Sequence, residues 1–341
     1  MRFRFIDAER ASYPLTVLCR VLCVSRAGYY AWQAKELSAH DQRDAALTEK
    51  IERYHAASHG RYGSPRIFDD LRAEGEPCSK KRVARLMKNA GLRGKCRQRK
   101  FTPTTDSNHG LDVAPNALNR DFEPPRPNEV WASDITQLWT PQGWLYLAVV
   151  LDLFARYVVG WACRADITRQ LVIDAVKMAI GRRPVVAGLI FHSDKGSQYA
   201  AADTQRLLRE NGIVVSMSGT GNCYDNAVSE SFFSGFKNEL GDAFPSRAQG
   251  TTDTFRYIET FFNPYRRHSF NGNVSPRDCE AFFARFGRRP KNVPDFTATA
   301  AAHPTAATSW TNTTPSRVLE TGQNPVTAAP YRCQEGSFLS I

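Results

Sequence analysis

Three acidic residues in different segments are the side chains of this sequence with the clearest capacity for chemistry. Asp134 lies in WASDITQ, Asp194 in FHSDKGSQY and Glu230 in NAVSESFF. Carboxylate oxygens are the ligands that hard cations such as Mg²⁺ prefer. Three carboxylates can hold two such ions about 3.5–4 Å apart, which is the arrangement used for in-line attack at phosphorus. The sequence therefore supports the hypothesis of a metal-dependent site for phosphodiester chemistry.

Each of these acids also has an ordinary structural explanation. Asp194 could cap the helix that follows it, Asp134 could pair with an arginine or lysine, and Glu230 could be a solvated helix residue. Asp152, in LAVVLDLFAR, is a second strand acid and competes with Asp134. Asp225 competes with Glu230, although helix capping explains it well. On the residue pattern alone, these alternatives stay open.

The elements that must position these acids predict a single α/β domain. VWASDITQLW, LYLAVVLDLFA and YVVGWACR are typical of three strands joined by tight turns, which is an antiparallel meander. VAGLIFHSD and IVVSMS indicate a fourth and a fifth strand, with helical patterns between and after them. The order β-β-β-α-β-α-β-α predicts a mixed five-stranded sheet with helices on its faces. Asp134 then lies inside the first strand and Asp194 ends the fourth. Glu230 lies one turn into a helix that Phe232 and Phe233 anchor on the core.

The spacing and wording of these segments resemble a known family. Between Asp194 and Glu230 lie 35 residues, which is the interval in the DDE transposases and retroviral integrases, whose core is ribonuclease H-like. WASDITQ, FHSDKGSQY and YDNAVSESFFSGFKNE are similar to the catalytic segments of bacterial insertion-sequence transposases made from two overlapping reading frames. In that group the second-frame product carries segments like VLCVSRAGYYAW, HGRYGSPRI and FNPYRRHSFNGNVSP. The resemblance covers roughly residues 10 to 285. It departs from the group at Asn271-Gly272-Asn273, where relatives usually carry a leucine-glycine pair.

The resemblance implies a function for these residues. Asp134, Asp194 and Glu230 would be the catalytic and metal-binding acids, with two Mg²⁺ ions as cofactor and Mn²⁺ able to replace them. The reaction would be DNA strand cleavage followed by 3′-OH strand transfer at insertion-sequence ends. Lys237, two helical turns after Glu230, would contact DNA near the cleavage point. The partners would be DNA, further copies of the chain and the upstream-frame protein, the last as a frameshift fusion.

The charge of the chain points to the same class of partner. The net charge is +11, and the segment Ser79 to Lys100 contains ten Lys or Arg and no Asp or Glu. Such a concentration favours contact with nucleic acid over a generic solvated face. The candidate DNA-binding residues of this segment are Lys80, Lys81, Arg82, Arg85, Lys88, Arg93, Lys95, Arg97, Arg99 and Lys100.

The chain outside the α/β domain divides by composition. Residues 11–33 predict two short helices, which could be a helix-turn-helix or a plain helical hairpin, with Ser25 capping the second. Three further helices and a helix over about 252–265 are also expected. The predicted regions are a helix-turn-helix-like segment over 1–42, a second helical DNA-binding domain over 43–94, a basic, Pro-rich linker over 95–128, the catalytic core with C-terminal helices over 129–290, and a low-complexity, disordered tail over 291–341.

The remaining sequence features exclude several classes. No run of eighteen apolar residues exists and the N-terminus lacks an apolar signal segment, so a cytoplasmic protein is expected. The eight cysteines form no C-x-x-C and are expected as free thiols, with Cys19 and Cys23 packed in a core. His55 and His59 share the spacing of a zinc pair, but no close cysteine pair completes the site. His192 either contacts phosphate or metal-bound water, or packs within its strand.

Two other functions compete with transposition. A ribonuclease H-like nuclease or resolvase would lack strand transfer. The two helical segments and the basic linker argue against it, because a simple nuclease needs fewer DNA contacts than they offer. A DNA-binding regulator of transposition would lack activity without the upstream-frame protein. Strand-transfer assays with and without that protein would separate these functions.

The basic segment generates the first prediction. Replacing Arg93, Lys95, Arg97 and Arg99 with Ala should flatten the salt dependence of DNA binding, because each phosphate contact contributes a slope of up to about 0.9 in log K against log salt. The measurement is DNA affinity across a salt series. An unchanged slope would show that these charges only solvate the linker.

Overall fold

A computed structural model describes residues 1–34, 38–95, 114–118, 122–218 and 227–291. All of them belong to the first of two compact units of the chain, Met1–Ala302. The predicted tail therefore lies outside the described residues, apart from its first position.

The chain begins with the helices α1 (Arg2–Glu9), α2 (Leu15–Val21) and α3 (Arg26–Gln33). The last two match the predicted pair, and Ser25 caps α3 by accepting the N–H of Gly28 at 2.9 Å. Ile6 of α1 joins Leu18, Cys19 and Tyr29 in a small core. The sequence analysis did not predict α1, whose short apolar face consists of Phe3 and Ile6. The expectation for Cys23 was wrong: its backbone turns into the left-handed region (φ 53°) and exposes the thiol.

A second helical group consists of α4 (Ala39–Ala57), α5 (Ser64–Ala73) and α6 (Lys80–Asn89). Pro65 lies in the first turn of α5, where its missing N–H costs nothing. Ser79 caps α6 by accepting the N–H of Arg82 at 3.2 Å. The three helices enclose a core that includes Ile51, Ile67 and Val83, all fully buried.

The α/β domain contains a five-stranded mixed sheet, which confirms the predicted fold class. Its strands lie in the spatial order β3-β2-β1-β4-β5. The first three are antiparallel neighbours, and β4 and β5 add in parallel. The strands are β1 (Val130–Leu138), β2 (Leu145–Asp152), β3 (Tyr157–Arg164), β4 (Ile190–Ser193) and β5 (Val214–Met217).

Helices cover both faces of this sheet. The helices are α7 (Arg169–Arg182), α8 (Ser197–Ala200), α9 (Ala202–Glu210), α10 (Ala227–Glu239), α11 (Arg247–Phe255) and α12 (Pro276–Phe286). Alternate residues of β2 explain the two cores. Ala148 and Val150 pack with α7 and α9, whereas Leu147, Val149 and Leu151 pack with α10. Asp134 is on the α10 side of β1, because it alternates with residues of the other face.

Three details of the helices differ from the prediction. The helix expected over 252–265 begins earlier, at α11, and continues as a wider π-helical turn over Arg256–Phe262. The short helix α8 and the helix α12 were not predicted. None of the helices in the described ranges combines the length and apolar character that a membrane span requires.

Part of the predicted linker lies against the core. Leu118 is buried with Val130 and Leu153, and its N–H reaches Ser216 Oγ at 3.3 Å. The last residues before β1 therefore pack on the domain that they precede. Residues 96–113 of the linker lie outside the described ranges.

The contact between β3 and α7 generates a stability prediction. A Cβ at Gly160 would lie 2.2 Å from the carbonyl oxygen of Ala175 and 2.8 Å from the backbone nitrogen of Ala179. Gly160→Ala should therefore lower the free energy of unfolding by about 2–3 kcal/mol, because α7 must move off the sheet. Denaturant titration of both proteins measures the change.

Gly181→Ala on α7 is the matched control. A Cβ at Gly181 meets nothing within 4 Å, so helix propensity should stabilise this variant by up to about 1 kcal/mol. Equal stability of the two variants would contradict the close approach of α7 to β3.

Candidate active site

The register of two neighbouring strands brings Asp134 and Asp194 together. β1 and β4 are parallel, with Ala132 opposite His192. Continuing this register places Asp134 level with Asp194, the residue that directly follows β4. Adjacent strands lie about 4.8 Å apart, and residues at the same register position share a face. The two acids are therefore neighbours where β4 ends.

Both acids line a cavity of about 220 Å³. Asp194 Oδ1 also accepts the N–H of Gly196 at 3.0 Å, so this acid shapes the turn into α8. A Cβ at Gly196 would lie 3.0 Å from Asp194 Oδ1 and 2.9 Å from Gln198 Oε1, so glycine lets the turn close tightly. Asp194 thus combines a turn-forming role with a position on the cavity wall.

Asp134 is the acid with the most perturbed environment. It is half-buried, and its Oδ1 accepts the N–H of Ile135 at 2.8 Å. Burial raises the pKa of Asp134 well above its ordinary value, and the negative charges of Asp194 and Glu230 raise this pKa further. The positive charge of Lys237 opposes the rise. Three other predicted site residues, Asp194, Glu230 and Lys237, therefore act electrostatically on the Asp134 carboxyl group.

Glu230 lies on α10, which packs against β1. Phe232, Phe233 and Phe236 are buried beneath the helix, as the sequence predicted for the first two, and leave Glu230 exposed. Glu230 is not part of the wall of the cavity that Asp134 lines. Within the described ranges, no three His, Cys, Asp or Glu side chains are already gathered tightly enough to hold a metal ion. Asp194 and Glu230 thus each act electrostatically on Asp134 without forming a closed cluster with it.

The competing residues have structural roles. Asp152 is buried and accepts the N–H groups of Asn128 at 2.8 Å and Phe154 at 2.9 Å. Burial raises its pKa to about 6. His192 is buried, with Nδ1 at 2.9 Å from Ser216 Oγ, so it packs within the sheet. Asp225 lies outside the described residues.

A buried carboxylate that sequence analysis missed fixes the other end of α10. Glu239 accepts hydrogen bonds from Arg266 Nη2 at 2.7 Å, Arg66 Nη1 at 2.9 Å and the Tyr257 hydroxyl at 3.0 Å. These hydrogen bonds hold the pKa of Glu239 below its ordinary value although burial opposes them. The available signal was that Arg66 and Arg266 lie in HGRYGSPRI and FNPYRRHSFNGNVSP, two segments that carry the resemblance.

The same two segments join the helical group α4–α6 to the α/β domain. The Tyr62 hydroxyl donates to the carbonyl of Tyr265 at 3.2 Å and accepts the N–H of Arg267 at 2.8 Å. The Arg267 guanidinium pairs with Asp70 of α5 at 2.6 Å. The rings of Tyr62 and Tyr265 stack with centroids 5.9 Å apart. Helices α4–α6 are therefore held against the domain that carries the acids.

The sequence of the chain matches known families and proteins. The family model for the integrase core domain matches residues 124–223, and the model for an HTH-like domain matches residues 41–100. The chain is 42% identical over 284 residues to transposase InsF of insertion sequence IS3A from Escherichia coli strain K12, covering 82% of this chain and 98% of that protein. The chain belongs to the IS3 family of insertion-sequence transposases. The resemblance stated from the sequence is confirmed, and with it the transposase function and the enzyme class.

Three further proteins are similar to parts of this transposase. An uncharacterized 31 kDa protein of insertion element IS600 from Shigella sonnei is 43% identical over 262 residues, covering 76% of this chain and 96% of that protein. The catalytic core domain of BIV integrase is 17% identical with a TM-score of 0.34, covering 47% of this chain and 98% of that structure. The HTLV-2 integrase catalytic core domain in complex with magnesium is 17% identical with a TM-score of 0.32. The match covers 45% of this chain and 95% of that structure.

The HTH-like domain and the integrase core imply that the transposase binds DNA. The basic residues that the sequence predicts to contact DNA differ in their surroundings. Arg82 and Arg85 both pair with Asp44 at 2.7 Å, which ties α6 to α4 and lowers the pKa of Asp44. Lys95 donates to the carbonyl of Glu239 at 3.1 Å, and the Lys80 ammonium lies 5.5 Å from the Phe68 ring centroid.

The other predicted contacts are exposed or undescribed. Lys81, Lys88 and Arg93 are exposed. Arg97, Arg99 and Lys100 lie outside the described residues. The assignment of DNA contacts to these side chains stays a prediction.

The environment of Asp134 generates a prediction for metal-free transposase. Its raised pKa means that the folded state binds more protons than the unfolded state just above the ordinary carboxyl pKa, so stability falls as pH rises through this window. Asp134→Asn removes this penalty, and its Oδ1 can still accept the N–H of Ile135. At pH 8 without metal the variant should unfold at a higher temperature by about 2–4 °C, and at pH 4 the difference should shrink.

Added Mg²⁺ should raise the unfolding temperature of the unmodified protein and leave Asp134→Asn nearly unchanged, because a ligand that binds only the folded state stabilises it. Asp166→Asn, an exposed acid of the same domain, is the control and should follow the unmodified protein. If Asp134→Asn and Asp166→Asn behaved alike at both pH values and with Mg²⁺, the electrostatic argument would be wrong.

Proposed function

We propose that Asp134, Asp194 and Glu230 are the catalytic acids of this transposase. The observation that carries the proposal is the parallel register of β1 and β4, which sets the two aspartates side by side. The Glu230 charge supports it, because this charge acts on Asp134 from α10. Lys237, on the same helix, would contact a phosphate close to the cleaved bond.

The three acids would also hold the divalent metal that is typical of the integrase core family. The donor set consists of carboxylates, which suits Mg²⁺. Mutual repulsion disfavours the charged form of Asp134, and a cation would relieve it. We propose that Asp134, Asp194 and Glu230 together would hold two Mg²⁺ ions, and that Mn²⁺ would be able to replace them. When bound, such ions supply an activated water and stabilise charge at phosphorus.

The proposed reaction has two displacements at phosphorus. In the first, a water oxygen bonds to the phosphorus at the end of the element, and the bond to the 3′ oxygen breaks and frees a 3′-OH. In the second, this 3′-OH attacks the phosphorus of another strand, whose own bridging oxygen leaves. No side chain becomes bonded to DNA, so the acids only position groups and balance charge. Lys237 would compensate negative charge that develops on the phosphate.

The partners follow the same proposal. DNA would be both the element ends and the target, held by the basic residues of α6 and the segment after it. The regions 1–42, 43–94, 95–128, 129–290 and 291–341 remain the proposed division of the chain. We also propose assembly of several copies on DNA and fusion by frameshift to the upstream-frame protein, as the family resemblance suggests.

Glu230→Gln tests the proposal most directly. The change is nearly isosteric, so α10 should keep its place on Phe232 and Phe233. A neutral amide binds a hard cation more weakly than a carboxylate, so strand cleavage should fall by at least about 100-fold. DNA binding should stay close to its original strength, because it depends mainly on Lys and Arg. The measurements are cleavage and joining of labelled element ends, with the upstream-frame protein supplied.

Glu210→Gln is the control, since Glu210 is an exposed acid at the end of α9, and it should remain active. Full cleavage by Glu230→Gln would remove Glu230 from the set of catalytic acids. An unmodified protein that binds ends but cleaves only with the upstream-frame protein present would instead support a regulatory role for the chain by itself.

A further inference from the structure

A second cavity lies along α10 and shares no wall residue with the cavity that Asp134 and Asp194 line. Its volume is about 260 Å³. This is below the range of about 300–1,000 Å³ of pockets that enclose whole small ligands, so it suits one chemical group and its immediate attachments. The residues that matter for its chemistry are Arg156, Ser231, Phe232, Arg266, His268 and Phe270.

Arg156 is a buried cation on the wall of this cavity. It is 8% exposed, and its Nη1 donates to the carbonyl of Leu153 at 2.9 Å. Its guanidinium lies 3.8 Å from the ring centroid of Phe270. Among the described residues, no carboxylate lies within ion-pair distance of Arg156. Burial lowers its pKa to about 10, the nearby positive charge of Arg289 lowers it further, and the negative charges of Glu123 and Asp152 oppose the fall.

The neighbouring acids Glu123 and Asp152 compensate this positive charge only in part, because the pKa of Arg156 stays below its ordinary value. Arg266 lines the same cavity, but its charge is already paired with buried Glu239. His268 adds no negative charge, and burial together with the nearby arginines lowers its pKa to about 3. The first turn of α10, with Ala227 and Val228, forms part of the wall, and the N-terminal end of a helix favours anions. The cavity is therefore electropositive and has room for an anion.

The mouth of the cavity lies on the same first turns of α10 as Glu230. Ala227 and Ser231 line it and are exposed, so it opens to solvent along α10. Ser231 directly follows Glu230, which is also exposed. The rings of Phe232, Phe262 and Phe270 provide apolar walls of the kind that pack against a sugar.

We propose that this cavity seats one phosphate of the DNA strand that adjoins the cleaved bond, with the Arg156 guanidinium as its anion ligand. The proposal rests on the proposed function, because it assumes that DNA lies across Glu230. Arg156 then positions the strand. A phosphate that is fixed beside α10 sets the distance between the neighbouring phosphodiester bonds of the same strand and the three acids. Free phosphate would use the same chemistry, and the experiment below separates the two sources.

The experiment uses the full-length protein and a duplex of element-end sequence in which single phosphates are replaced, one at a time, by neutral methylphosphonates. With the unmodified protein, one replacement near the cleavage point should weaken binding by about 10-fold. With Arg156→Gln that same replacement should have no further effect, while the others keep theirs. The slope of log affinity against log salt should also fall by about 0.9.

Two further variants guard against misfolding and against general charge effects. Ser231→Asp places a carboxylate at the exposed mouth, and it should remove the effect of the same single replacement. Ser231→Asn has nearly the same shape without the charge and should weaken binding less. Arg209→Gln, an exposed arginine on α9, removes one positive charge elsewhere and should leave the replacement pattern unchanged.

The outcomes separate the two proposals. If Arg156→Gln or Ser231→Asp keeps the full replacement pattern of the unmodified protein, the phosphate seat is wrong, whereas cleavage by the unmodified protein still supports the proposed function. If 10 mM inorganic phosphate raises the unfolding temperature in an Arg156-dependent way but the DNA pattern is unaffected, the cavity binds free phosphate and the DNA seat is also wrong. Absence of end cleavage by the unmodified protein with its upstream partner would contradict the proposed function itself.

Discussion

The ion pairs of the buried Glu239 carboxylate are the interaction on which the relative placement of the helices in this transposase depends. Glu239 lies at the end of α10 and is 4% exposed, with Arg66 of the helical group on one side and Arg266 on the other. Breaking such a buried pair by removing one partner typically costs about 3–5 kcal/mol, because the other charge remains buried and unpaired. One side chain therefore holds α10, helices α4–α6 and the segment after the π-helical turn in a single arrangement.

Fixing α10 at this end matters because its other end carries Glu230. Phe232, Phe233 and Phe236 are buried beneath the helix and oppose its rotation about its own axis. The acids themselves do not stabilise this arrangement. Burial and like charges disfavour the ionised form of Asp134 in the metal-free protein, and such a cost is characteristic of functional sites. The surrounding packing thus holds together a group of charges that would otherwise separate.

The sequence predicted the features that local patterns encode. Strand-like runs joined by tight turns predicted the sheet, and Ser25 marked the start of α3 as its cap. The acids were found because the spacing of Asp194 and Glu230 matches a family, whereas residue pattern alone left alternatives open. Helix α12 could also have been predicted, since Ser275 caps it and Pro276 occupies its first turn, the same kind of proline start as in α5.

What the sequence could not predict depends on contacts between distant positions. Arg66 reaches Glu239 across 173 positions of the chain, and no local pattern relates the two residues. Cys23 was assigned to a core by its spacing from Cys19, but a left-handed turn reverses its direction. The anion-accepting character of the second cavity likewise arises only where Arg156 and the first turn of α10 meet. In each case the outcome depends on geometry that no local sequence pattern encodes.

The docking of α5 on the segment after the π-helical turn has an evolutionary consequence. Tyr62 stacks on Tyr265, and Asp70 pairs with Arg267. Two stretches that lie about 200 positions apart in the sequence therefore have complementary surfaces. Recombination between related elements that exchanged only the front half of the gene would separate these matched surfaces. The helical region consequently cannot be exchanged by itself. A lineage that acquires a new helical region must also acquire, or gradually change by substitution, the matching segment after the π-helical turn.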